Sequence, residues 1–83
     1  MELENKLKKT RKLVKLTQLE LAKKVGVSRQ SVYAIETKKS EPSLVLALKM
    51  AKALSVPLDE LFWLKDSGKN SLEDEGITPF TIF

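Results

Sequence analysis

The 83-residue chain has no cysteine and no histidine. Without cysteine, neither a disulfide nor a thiolate metal site can support the fold. Without histidine, the commonest general base and the commonest metal ligand are both missing, and no Ser-His pair can form. Glycine and proline are scarce, at three each, and no Gly-rich phosphate loop is present. No apolar run approaches the ~18 residues of a membrane span. The opening segment MELENKLKKTRK lacks the apolar core of a signal peptide, so the expected location is the cytoplasm. The carboxylates Glu20, Glu36, Asp59 and Glu60 all fit helix caps or solvated helix positions. No enzyme activity, cofactor or metal is therefore expected.

What is present is helical and basic. A chain this short buries only ~60–65% of its unfolded surface, which suits one domain of helices with short connections. Charge is unevenly distributed: residues 1–39 hold eleven of the fifteen Lys and Arg but only four of the eleven Asp and Glu. The lysines either solvate a small helical surface or face a polyanionic partner, and charge alone does not separate the two.

Geometry separates them at Thr17–Glu36, TQLELAKKVGVSRQSVYAIE. Thr17 is placed to cap a helix, and Glu20 can reach back to its N–H to complete a capping box. Leu21, Ala22 and Val25 share one face. Gly26 ends the helix where a left-handed backbone is least costly. Ser28 then caps a second helix with Val32 and Ile35 inward. Outward stand Arg29, Gln30, Tyr33 and the hydroxyl of Ser31. Arg pairs bidentately with guanine, Gln with adenine, and small hydroxyls suit phosphates. A helix of this length, roughly 13 Å, is comparable to the ~12 Å width of the B-DNA major groove. Ala22 has a mechanical reason, since two helices crossing sharply need a small side chain where they touch.

The spacing predicts a first helix over Glu4–Val14, with Leu3, Leu7 and Val14 in helical register and Leu13 beside them. Its cations Arg11 and Lys8 are placed nearest a phosphate. Leu16 can staple the Thr17 cap. Thr37–Pro42 is a polar loop, and Pro42 forces a restart. Ser43 caps a helix over Leu44–Leu54 with an apolar stripe of Leu44, Ala47, Leu48, Ala51 and Leu54. Val45, Leu46 and Met50 widen that stripe, so this helix is either the buried centre of a bundle or a subunit contact through Val45 and Leu46. A last helix is expected over Leu58–Leu64, with Pro57 near its first turn and Asp59 and Glu60 favoured by its dipole. Leu58, Leu61 and Phe62 close the core, and Trp63 either joins them or lies in an interface. DSGKNSLEDEG, from Asp66 to Gly76, reads as a polar linker. ITPFTIF at the end is β-prone and apolar, with Pro79 excluding a central strand. It is read either as pairing with a second subunit or as an unstructured tail.

LTQLELAKKVGVSRQSVYAIE, EPSLVLALKMAKAL and VPLDELF together resemble a phage-repressor-type helix-turn-helix domain of the Cro/CI or XRE-like class, over roughly residues 4–64. The resemblance implies an all-α, compact five-helix, lambda-repressor-like bundle over residues 1–65, with residues 66–83 as linker and tail. It implies sequence-specific binding to double-stranded DNA, usually as a homodimer on a near-palindromic operator, with neither cofactor nor membrane. Arg29 and Gln30 match the first base-reading positions, with Tyr33 and Ala34 further along. Gln18 matches a residue that holds a phosphate and buttresses the reading helix. Ser28 and Ser31 match phosphate-touching positions, and Thr37, Lys38 and Lys39 match the backbone-contacting loop that follows. The family commonly has glycine where Lys15 stands and Asn-Gly where Thr37-Lys38 stands, and those glycines take positive φ. Leu19 stands where the family usually has a polar residue. The expected role is a dimeric repressor. The alternative is an antitoxin-like DNA-binding subunit that also docks a partner protein through its tail.

Overall fold

In the computed structural model, residues 2–66 are described. The element order is β1 (Glu2–Asn5), α1 (Leu7–Leu13), α2 (Gln18–Val25), α3 (Arg29–Glu36), α4 (Leu44–Leu54), α5 (Leu58–Leu61) and β2 (Phe62–Lys65). The linker after Asp66 and the ITPFTIF tail lie outside the described residues.

The helix starts follow the side chains that cap them. Thr17 Oγ1 accepts from Glu20 N at 3.0 Å and Glu20 Oε1 accepts from Thr17 N at 2.8 Å, a complete capping box. Ser28 Oγ accepts from Ser31 N and Ser43 Oγ from Leu46 N, both at 3.1 Å, so each serine satisfies an otherwise orphaned helix donor.

The ends of α1, α2, α3 and α4 share one device. Leu16 N bonds Arg11 O, Val27 N bonds Ala22 O, Lys39 N bonds Ala34 O and Val56 N bonds Ala51 O. Each of these six-to-one bonds brackets one left-handed residue: Lys15 (φ 62°), Gly26 (φ 79°), Lys38 (φ 64°) and Ser55 (φ 59°). This is the Schellman ending, usually accompanied by an apolar contact from the next residue. Leu16, Val27 and Val56 supply that contact by packing against the core. Lys15 and Lys38 thus adopt the left-handed backbone that glycine takes in the related family, at the cost a Cβ imposes there.

The core is built from Leu7, Leu21, Ala22, Val25, Val32, Ile35, Ala47, Met50, Ala51, Leu54, Leu61 and Phe62. Ala22 is fully buried, consistent with the need for a small side chain where α2 meets α3. On α4 the expected stripe is rotated: Met50 is buried, while Leu44 and Leu48 face solvent with Val45. An α4 sequence apolar on nearly every side leaves the choice of buried face to its neighbours.

Among the described residues the fold is helical with five helices, but it is not all-α. The first helix begins at Leu7 rather than Glu4, and the last ends at Leu61 rather than Leu64. The residues released pair as an antiparallel ribbon, with Glu2 opposite Lys65, Leu3 opposite Leu64, Glu4 opposite Trp63 and Asn5 opposite Phe62. Lys6 N extends the ladder to Leu61 O. Asn5 Oδ1 accepts from Leu7 N and closes off the start of α1. Trp63 is half-exposed on the ribbon, with Lys6 Nζ 5.7 Å from its ring centroid.

Candidate nucleic-acid interface

The capped ends of α2 and α3 set which α3 side chains face outward. With Val32 and Ile35 buried, helical geometry turns Arg29, Gln30 and Tyr33 away from the core, and all three are exposed. Ser31 and Ala34 flank them and are half-buried. Ser28 caps the helix, and its Oγ also lies 3.1 Å from Ser31 Oγ. α3 thus presents a short rod with an arginine and a glutamine on its first exposed turn.

A polar relay supports that turn from inside. Arg11 Nε donates to Glu36 Oε2 at 2.6 Å, and Arg11 Nη2 to Glu36 Oε1 at 3.3 Å. Arg11 Nη1 donates to Leu16 O at 2.7 Å. Gln18 Nε2 donates to the same Glu36 Oε1 at 3.0 Å. Gln18 Oε1 in turn accepts from Arg29 Nη1 at 3.0 Å. The amide at the start of α2 therefore joins a buried ion pair to the exposed arginine of α3. A guanidinium anchored through one nitrogen keeps its other donors for a base edge.

Two sequence expectations change here. Arg11 is not a surface cation: it is 6% exposed, and all three of its guanidinium nitrogens donate within the chain. Meeting a phosphate would strip Glu36 of its partner inside the protein, which is costly. Glu36 is not a solvated helix position but the hub of the relay. The available signal was an arginine four residues after Leu7 on a face otherwise destined for the core.

The loop after α3 carries the remaining expected contacts. Thr37 Oγ1 donates to Tyr33 O at 2.9 Å and to Ala34 O at 3.3 Å, finishing the helix. Lys39 Nζ lies 5.9 Å from the centroid of the Tyr33 ring, beside the outward face of α3. Lys38 Nζ donates to Glu4 at 3.1 and 2.9 Å, and this ion pair was not legible in the sequence. Its ammonium is held above the usual lysine value, chiefly by the hydrogen bond to Glu4 and next by that carboxylate's charge. Leu19 is half-exposed on α2, as a surface residue would be.

Two helices joined by a tight left-handed turn, with a polar outward face on the second, define a helix-turn-helix DNA-binding unit. The sequence model of the helix-turn-helix family matches residues 7–61, more than half of the chain, and the chain belongs to that family, of the phage-repressor (XRE) type. It is 52% identical over 64 residues to an uncharacterised HTH-type transcriptional regulator of Methanocaldococcus jannaschii, covering 77% of this chain and 97% of that protein. The uncharacterised HTH-type transcriptional regulator YgzD of Bacillus subtilis is 44% identical over 64 residues, covering 77% of this chain and 97% of YgzD. A third such regulator, from Methanothermobacter thermautotrophicus, is 41% identical over 63 residues, covering 75% of this chain and 91% of that protein. Family membership places the chain among DNA-binding transcriptional regulators. Among the described residues, no helix is long and apolar enough to cross a membrane.

Proposed function

We propose that the protein is a cytoplasmic, sequence-specific repressor that binds a near-palindromic DNA operator as a homodimer, with α3 in the major groove. The observation that carries this reading is the pairing of exposure and support on α3. Arg29 is exposed yet anchored by Gln18, and Gln30 and Tyr33 stand on the same outward face. Arg29 and Gln30 read base edges first, followed by Tyr33 and Ala34. Gln18, Ser28, Ser31, Thr37 and Lys39 form the phosphate-contacting set, now without Arg11, while Lys38 faces the same side with its ammonium engaged by Glu4. Counterion release at the lysines supplies sequence-independent affinity. Residues 1–65 act as the DNA-binding domain and 66–83 as its extension.

The dimer reading is supported by α4, where Leu44, Val45 and Leu48 are 67%, 61% and 49% exposed on one helix. Three neighbouring apolar side chains facing water favour a protein contact. Two subunits joined there would present their α3 helices to successive major grooves, ~34 Å apart. A dimer covering a promoter would exclude polymerase.

Selection of binding sites from random duplex DNA tests the reading. A recovered palindrome with half-sites one helical turn apart is the expected result, and recovery of no sequence preference would defeat it. The alternative, a DNA-binding subunit that also docks a partner protein through residues 77–83, calls for a second small protein that co-purifies from the native source.

A further inference from the structure

β1 lies against the loop that follows the reading helix. Asn5 Nδ2 donates to Ile35 O at 3.1 Å, which fixes the strand on the last turn of α3. A cavity of ≈ 40 Å³, lined in part by Leu3, Asn5, Ile35 and Lys38, separates strand from loop. Glu4 holds Lys38 Nζ through both carboxylate oxygens. The side chains are 20% and 48% exposed, so the pair sits at the rim, where a phosphate could reach the lysine. The Lys38 backbone is fixed in the left-handed ending of α3, which keeps its side chain rooted beside Glu4.

A carboxylate bonded to an ammonium by two oxygens occupies it much as a phosphate would. We infer that Glu4 is an internal competitor for the DNA backbone, withholding Lys38 from phosphate and lowering the protein's sequence-independent affinity for duplex DNA. The inference rests on the DNA-binding function proposed above. A phosphate approaching the loop meets a neutral pair rather than a cation. A phosphate that takes the remaining ammonium donor sits against the Glu4 carboxylate, and one that displaces Glu4 leaves that carboxylate unpaired beside a polyanion. Glu2 adds negative charge toward Lys38, while Lys65 faces Glu2 across the ribbon, and Glu41 borders the same cavity. Glu4 thus acts through Lys38 and does not itself touch the nucleic acid.

The test uses the full chain and a random-sequence duplex of about 24 base pairs, with affinity measured across a salt series. One additional phosphate contact steepens the log–log salt slope by about 0.9, which corresponds to roughly tenfold tighter binding near 0.1 M salt. Glu4→Gln, which keeps the shape and removes the charge, is expected to produce both changes. In a Lys38→Ala background the same substitution is expected to leave the slope unmoved and to change affinity about twofold at most. The inference is overturned if wild-type protein binds duplex and Glu4→Gln leaves the slope unchanged. Equal gains with and without Lys38 overturn it too, because they reduce Glu4 to a general surface charge. If Glu4→Gln fails to fold, Glu4→Asp, which withdraws the carboxylate by one methylene, should give an intermediate slope, and a wild-type slope there counts against the inference. A wild-type chain that binds no duplex at any salt overturns the DNA-binding reading itself, an outcome distinct from a neutral Glu4 variant.

Discussion

Arg11 and Glu36 form an ion pair across 2.6 Å with side chains only 8% and 1% exposed, joining α1 to the end of α3. Such a pair is expensive to break from one side, because the remaining charge stays buried. Arg11→Met alone is expected to cost about 3–5 kcal/mol, enough to unfold much of a small domain. Pairing it with Glu36→Leu should recover most of that loss. Urea unfolding of the single and double variants measures both, and a double variant no more stable than the single would show that the pair is not the source of the loss. Because Gln18 hangs on Glu36 and Arg29 on Gln18, the stable double variant should still bind DNA but discriminate sequence less well.

Arg29 stands at the exposed end of that relay. Arg29→Ala should lower affinity for the selected operator by about 1–3 kcal/mol and relax choice at one base pair. Binding competitions against operators altered one position at a time would read this. An equal loss on operator and random DNA would remove Arg29 from base reading.

Lys39 lies beside the Tyr33 ring and, among the described residues, in no ion pair. Lys39→Ala should weaken binding to every sequence alike and flatten the log–log salt slope by about one. An operator-selective loss in the same salt titration would instead make Lys39 a base-reading residue.

Three of the four left-handed helix endings carry a Cβ. Lys15→Gly and Ser55→Gly should each raise stability by about 0.5–1 kcal/mol, because relief of the left-handed penalty outweighs the extra flexibility of glycine in the unfolded chain. At Gly26 a Cβ would meet nothing within 4 Å, so Gly26→Ala isolates the backbone term. A loss of about 1–2 kcal/mol is expected there. Thermal unfolding of the three variants should give opposite signs for the two kinds of change.

The apolar face of α4 predicts an oligomeric change. Val45→Glu together with Leu48→Glu should convert a dimer to a monomer while leaving the fold intact, since both side chains already face solvent. Light scattering would show the mass halve, and operator affinity should fall with it. An unchanged mass would move the subunit contact elsewhere.

Most of the helical frame was legible in the chain. The Thr17–Glu20 box, the Ser28 and Ser43 caps, the Gly26 ending and the inward faces of α2 and α3 are all local. Each follows from residues within four positions of one another. The glycine missing at Lys15 and Lys38 did not change the backbone, because a packed residue after Lys15 and a six-to-one bond at each ending outweigh a penalty of about 1–2 kcal/mol.

Local order therefore belongs to the sequence: where helices start and stop, and which turn of α3 carries an arginine and a glutamine. The tertiary structure decided what depends on residues distant in the chain. Two four-residue segments nearly sixty positions apart carry too weak a signal to be told from helix ends, and pairing alone made them strands. An arginine and a glutamate 25 residues apart look like ordinary surface charges until packing removes water from both. The lysine expected to meet phosphate was already held by a glutamate 34 residues earlier, because the ribbon carries that carboxylate to the loop. Electrostatic partners are set by distance in space, and only the closed fold fixes those distances.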